Sequence, residues 1–269
     1  MAAGAFAFVL GNLAAGFLKE GGGAIFKSLF SSSEGNLGES FLKLFREELE
    51  SFANDIKLHI DYAFYAERHR SAELALRELI NLYNLYDSTG ASSKDILDDC
   101  VVKATEALSH LEDIGYPVIQ QYAAAATLLI AIYRERSLVI SRDQEKAIVK
   151  VIIPSAVNSL KGMEEQLKKE TLKRVDVKWR TTFNIPGNGE VKASSVEIRV
   201  DGVAKESMLF VSEELDGLNE FMPKKKIYDA QVLLELEQKL EWMDKLIHTW
   251  LSEYPQAAES TIAAKLAAT

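Results

Sequence analysis

Between Gly115 and Tyr133 the chain reads GYPVIQQYAAAATLLIAIY, without one charged side chain. As a helix rising 1.5 Å per residue, this stretch is about 28 Å long, close to the hydrocarbon thickness of a bilayer. A helix that is apolar all round must be covered, either by other protein or by lipid. Gln120, Gln121 and Thr127 make it too polar for an obligate membrane span, so the reading is a central helix enclosed by amphipathic neighbours. The two coverings are compatible, because a helix hidden in a bundle can later become an inserted one.

The neighbours are visible as stripes. From Leu37 to His69 the apolar positions Phe41, Phe45, Leu49, Phe52, Ile56, Ile60 and Ala63 recur every three or four residues, the pattern of a long amphipathic helix. A second helix is expected over Ala72–Tyr86, with Leu76, Leu79, Ile80 and Tyr83 in the same rhythm, stopping at Ser88-Thr89-Gly90. Ser92 and Asp95 have capping-box spacing, and Leu97, Val101, Ala104, Leu108 and Leu111 mark a third helix that ends at Gly115. Pro117 suits the first turn of the uncharged helix. Another helical segment begins at Ser141, should be kinked or split at Pro154, and runs through Leu160 and Leu167 to about Lys173.

The period then changes from 3.6 to 2. Val175, Val177, Trp179, Thr181, Phe183 and Ile185 alternate with polar residues, predicting a half-buried strand. Pro186-Gly187-Asn188-Gly189 is a hairpin signal, with Trp179, Phe183, Gly187, Asn188 and Gly189 its defining residues. Val191 and Ala193 resume the alternation, a bulge is expected at Ser194-Ser195, and Val196, Ile198 and Val200 complete the return strand before Asp201-Gly202. A third strand is predicted near Met208 to Val211. A long last helix, roughly Ile227 to Ser252, carries Val232, Leu236, Leu240, Met243, Ile247 and Trp250 at coiled-coil-like spacing. The fold class is therefore mainly α, a bundle around a hydrophobic helix with a small antiparallel β-hairpin or meander before the last long helix. Its parts are residues 1–174, 175–212 and 213–269, the last packing back on the bundle.

Met1 to Leu18 is also uncharged, and its first basic residue, Lys19, follows the apolar run, the reverse of a secretory signal. It reads as a buried or membrane-seeking helix, with Ala7, Gly11 and Ala15 forming a small-residue stripe suited to close helix approach. A formal charge of −9 and a pI near 5.1 argue against a nucleic-acid partner. Cys100 is the only cysteine, excluding an intrachain disulfide and a cysteine-based zinc site. No phosphate-binding glycine loop, nucleophile elbow or metal-ligand spacing occurs, so no catalytic residue, cofactor or metal is expected and the chain reads as a non-enzyme.

The run Tyr122-Ala123-Ala124-Ala125-Ala126-Thr127-Leu128-Leu129-Ile130-Ala131-Ile132-Tyr133-Arg134 resembles the central helix of the three-domain insecticidal crystal toxins, the delta-endotoxins. That family's pattern reads Y-A-x-A-A-N-L-H-L-x-L-x-R; Thr127 stands where it has Asn and Leu129 where it has His. A Gly-rich apolar start, an acidic helix over Phe41 to Glu50 and a Tyr-rich helix near Asn81 to Tyr86 extend the likeness over roughly residues 1 to 140. The resemblance implies a helical pore-forming domain whose helices enter a target-cell membrane. The family's β-prism and β-sandwich domains have no counterpart here, so its target specificity does not carry over.

The expected function is thus pore formation or membrane permeabilisation, toxin-like and insecticidal by resemblance, by a soluble form that rearranges at a membrane. The inserting residues would be Phe6, Phe8, Val9, Leu10, Gly11, Leu13 and Phe17 with Tyr122, Ala126, Leu128, Leu129, Ile130 and Ile132. A variant inserts the Val175 to Val200 hairpin as part of an oligomeric barrel. The alternative is a helical protein–protein interaction or scaffold protein. Expected partners are the lipid membrane of a target cell and other copies of the chain in the active form, with a receptor left open. The chain lacks a clear signal peptide and is expected to be soluble and to act outside the cell that produces it.

Overall fold

In a computed structural model, the described residues are 42, 62–89, 94–141, 143–184, 192–210 and 216–259. They form α1 (Tyr62–Thr89), α2 (Lys94–Ile114), a 3₁₀ turn (Tyr116–Val118), α3 (Ile119–Val139), α4 (Asp143–Ala147), a π-helical turn (Ile148–Ile152) and α5 (Ile153–Leu172). Three strands follow, β1 (Val175–Asn184), β2 (Lys192–Val200) and β3 (Val203–Phe210), and then α6 (Asp216–Glu253). The protein is mainly α with one small antiparallel sheet before its last long helix. Backbone contacts divide the described residues into two compact units, one holding those up to Glu165 and from Glu241 on, the other those from Gln166 to Leu240.

In the first unit α1 packs on α2 and α2 on α3. The expected break between helices at His69 and Ala72 is absent, and α1 runs through it. His69, Ala72, Ala75, Leu76, Leu79, Ile80, Tyr83 and Tyr86 are all buried, so the three-and-four spacing never lapses and neither proline nor glycine interrupts it. The segment from Leu37 to Asp61 lies outside the described residues except for Leu42, which is helical and buried. Ser92 lies outside them as well.

Gly115 ends α2 as its position predicts. It adopts φ 81°, where a side chain would be strained, while its N–H donates to the Leu111 carbonyl and its own carbonyl accepts from Val118. Pro117 then sits in the 3₁₀ turn that leads directly into α3. Pro154 has the expected effect one turn earlier in the chain. It offers no N–H, and the helix before it loosens into the π turn, where the Ile153 N–H reaches back five residues to the Ile148 carbonyl.

The second unit is a three-stranded meander with one face on the first half of α6. Val175, Val196 and Ile198 from the sheet bury themselves against Phe221 and Val232, flanked by Val177, Val200, Met208 and Tyr228. β1 pairs with β2 so that Trp179 lies opposite Val196 and Phe183 opposite Ala193. The register shift falls between Arg180 and Phe183, so the extra residue is in β1, across from the Ser194-Ser195 position where the sequence placed it. Gly187, Asn188 and Gly189 lie outside the described residues. β2 turns into β3 through Asp201 (φ 53°) and Gly202 (φ 76°), two left-handed residues between the paired Val200 and Val203, the geometry of a two-residue hairpin loop. β3 therefore starts five residues before the expected Met208.

α6 also begins earlier than Ile227. Its first turns continue through Pro223, which is exposed.

Candidate functional site

α3 is the segment that the sequence singled out, and its surroundings in the first unit define the candidate site. Every residue from Ile119 to Ile132 is buried. Tyr122, Ala126, Leu128, Leu129, Ile130 and Ile132 therefore all point into protein. The run Ala123–Ala126 is wholly inaccessible, because methyl-sized side chains let neighbouring helices approach closely. Phe6, Phe8, Val9, Leu10, Gly11, Leu13 and Phe17 lie outside the described residues, as do the side chains of Trp179 and Phe183.

Three polar residues lie within the enclosed stretch Ile119–Ile132. The Thr127 hydroxyl is satisfied within it, donating to the Ala123 carbonyl at 2.7 Å. Gln120 and Gln121 are buried beside the N-terminus, and the Gln120 Oε1 atom meets no donor. An amide oxygen enclosed without a partner costs roughly 1–3 kcal/mol. The Tyr122 hydroxyl bonds to Ser159 on α5, which in turn donates to Glu112 on α2; burial pushes the phenol up to about 12.

Charge returns at the C-terminal end of α3 as a collar, and each member is held by a different helix. Arg134 faces Glu253 of α6 at 3.8 Å, Glu135 accepts a hydrogen bond from the Tyr86 hydroxyl of α1 at 3.1 Å, and Arg136 lies 2.5 Å from Asp98 of α2. The Arg136 guanidinium also stacks 5.2 Å from the centre of the Tyr133 ring, a cation–π contact. The sequence locates the collar as the point where charge resumes, but Tyr86, Asp98 and Glu253 as its partners are pairings across long separations that no local pattern reveals. Next to Arg134 a cleft of about 630 Å³ is lined by Glu145, Lys150, Glu253 and Tyr254, a mixture of charges without a single sign.

Cys100 sits on the buried face of α2. Burial first, and the neighbouring Asp99 carboxylate second, push its thiol up to about 12. It is therefore inert as a nucleophile. Its reaction with Ellman's reagent at pH 8 should be at least about 1,000-fold slower in the folded chain than in denaturant, which a simple absorbance time course measures. The same shift stabilises the fold below the free thiol's ordinary value near 9, and that contribution is lost as pH rises towards 12.

Among the described residues no group of three or more His, Cys, Asp or Glu side chains could hold a metal ion, and no helix is long and apolar enough to cross a membrane. No protein-family model matches the chain, and no curated protein is significantly similar to it.

Proposed function

We propose that this protein is a non-enzymatic pore-forming or membrane-permeabilising protein that keeps its insertion helix enclosed until it meets a target membrane. The observation that carries this reading is α3, buried without interruption from Ile119 to Ile132 and free of charge until Arg134. A core helix needs only one apolar face to hold a bundle together, whereas this one is apolar on all sides and shielded by helices that are themselves amphipathic. Its likeness to the central helix of the crystal toxins points the same way.

The energetics are those of exchange. Apolar surface leaving the bundle for lipid keeps its roughly 25 cal/mol per Å², so opening costs mainly the contacts among the shielding helices. Gln120 and Gln121 would each be left unpaired on an isolated helix in hydrocarbon, at several kcal/mol. They favour insertion as an oligomer, where neighbouring copies supply the missing partners. The collar then sets the depth, because Arg134, Glu135 and Arg136 stay at the interface.

The collar also acts as the latch. Liposomes loaded with a self-quenched dye should release it in proportion to protein concentration. The combined Tyr86→Phe, Asp98→Ala and Glu253→Ala variant, which loses all three collar contacts, should release it at least about tenfold faster, since each contact is worth roughly 0.5–1.5 kcal/mol. An unlatched chain that stays folded by circular dichroism and releases nothing from neutral or anionic vesicles would rule the reading out.

A further inference from the structure

The cleft of about 630 Å³ beside Arg134, in the first unit, has the volume of a small-molecule site and no part in the insertion step. Its lining is sorted by sign. One side comes from the end of α3 and from α4 with its π turn, and brings Arg134, Lys146 and Lys150, with Glu145 the one acid among them. The other comes from the end of α6 and the residues just after it, and brings Glu253 and Glu259 around Tyr254. Arg134 and Glu253 meet at 3.8 Å, and Lys146 is held by Asp143 at 2.6 Å. Lys150 and Glu259 differ from these: both are exposed, and neither has an ion-pair partner among the described residues, each other included. Both sides are anchored. Ile148 and Val149 are buried and tie the π turn to α3, while Ala257 is wholly inaccessible and its N–H donates to the Tyr254 carbonyl at 2.9 Å. The charges are thus presented by backbone that is already in place.

From this sorting we infer that the cleft binds a zwitterion, a phosphodiester carrying a primary ammonium group, which is the headgroup chemistry of phosphatidylethanolamine. A simple anion would be opposed by Glu253 and Glu259, and a simple cation by Arg134 and Lys150; a ligand with both charges is opposed by neither pair. Its phosphate oxygens accept from the Lys150 ammonium and the Arg134 guanidinium, and its own ammonium donates to the Glu259 and Glu253 carboxylates. Tyr254 stands between the two sets. Burial raises the pKa of its phenol against the pull of Arg134, so the hydroxyl keeps its proton and donates to a phosphate oxygen. Lys150 and Glu259 lie on different sides of the cleft and beyond ion-pair reach of each other, a gap that an α-amino acid, with both charges on one carbon, does not bridge. Carboxylates accept N–H bonds that a trimethylammonium group cannot donate, and a single tyrosine is no aromatic cage, so the ammonium is primary. A headgroup placed in this way takes Arg134 and Glu253 from each other. Where it belongs to a lipid, its binding opens one of the three collar contacts, and this last link alone rests on the pore-forming reading.

An NMR titration of the full chain with soluble glycerophosphoethanolamine tests the cleft with no membrane present. The expected dissociation constant is on the order of 1 mM, the range for a small polar ligand. Glycerol phosphate, which lacks the ammonium, and ethanolamine, which lacks the phosphate, should each bind about tenfold more weakly or worse. Lys150→Glu and Glu259→Lys, both at exposed positions and with circular dichroism unchanged, should each weaken binding at least about fivefold. Absence of binding up to about 20 mM, either fragment bound as tightly as the zwitterion, or an affinity that neither substitution changes overturns the inference. Phosphatidylethanolamine vesicles then identify the source. Vesicle binding that soluble glycerophosphoethanolamine displaces assigns the cleft to lipid, whereas a chain that takes up the soluble compound and ignores vesicles assigns it to a free phosphodiester of the same class; both uphold the cleft. A chain that binds the headgroup yet releases no dye refutes the pore-forming reading and leaves the cleft standing.

Discussion

Replacing Ala126 by aspartate is expected to destabilise the protein by more than about 4 kcal/mol, a large part of the 5–15 kcal/mol that holds a typical domain together. Ala126 is wholly inaccessible, at the end of the alanine run, and no cation stands within a turn of it along α3. A carboxylate there loses its hydration and gains nothing, so the acid takes up a proton instead and its pKa rises. Raised in the folded state, the group leaves stability intact while it is neutral and removes it as pH climbs. Thermal unfolding followed by circular dichroism should therefore show a midpoint about 10 °C or more below wild type at pH 7, with the gap narrowing towards pH 4. Leu138→Asp on the same helix, at a position 68% exposed, should change the midpoint by no more than about 2 °C. Equal effects at the two sites would mean that α3 is not the enclosed helix described above.

The second large effect is expected at Arg174, between α5 and β1. Its side chain is only 8% exposed and forms a forked pair with Asp201, Nε to Oδ1 at 2.8 Å and Nη2 to Oδ2 at 3.0 Å, while Nη2 also reaches Glu235 of α6 at 3.3 Å. The Asp201 N–H donates to the Arg174 carbonyl, so backbone and side chain together fasten the β2–β3 turn to the start of the sheet and to the helix beneath it. The hydrogen bond to Asp201 is the main cause of a guanidinium pKa raised above its already high value. Arg174→Ala removes the guanidinium that Asp201 and Glu235 share, costing about 2–3 kcal/mol after allowance for the exposure of Glu235. Arg174→Lys keeps the charge but loses the fork, costing roughly 1 kcal/mol. Hydrogen exchange should show faster exchange of the β2 and β3 amides in Arg174→Ala with the α1–α3 amides unchanged. Uniform loss across both units, or none, would contradict the local role.

Much of this was legible in the residues because it depends on local periodicity. The charge-free stretch from Gly115 to Tyr133 predicted an enclosed helix, and α3 is enclosed. The change from a period of 3.6 to one of 2 at Val175 located the sheet to the residue. Gly115 and Pro154 marked a helix end and a helix irregularity for reasons of backbone chemistry alone. The errors arose where a local signal was overruled by packing. The third strand of the meander begins directly after Asp201-Gly202, at Val203 and not near Met208, because Val-Ala-Lys-Glu-Ser over Val203 to Ser207 carries no apolar alternation. α6 starts before Ile227, and Phe221, ahead of Pro223, is held in the core of the second unit, a tertiary contact that no local period reveals. The collar's partners and the Arg174 fork join residues dozens of positions apart, and a single sequence carries no trace of such pairings.

The measurement that tests insertion most directly uses the unmodified chain and phospholipids bearing a photoactivatable diazirine on the acyl tail. After incubation with vesicles and illumination, proteolysis and mass spectrometry locate the residues that contacted hydrocarbon. The account predicts lipid adducts within residues 115–133, appearing in parallel with dye release and ending before the collar at Arg134. Dye release with adducts confined to residues 175–200, or illumination of leaking vesicles that marks no residue of α3, would contradict it.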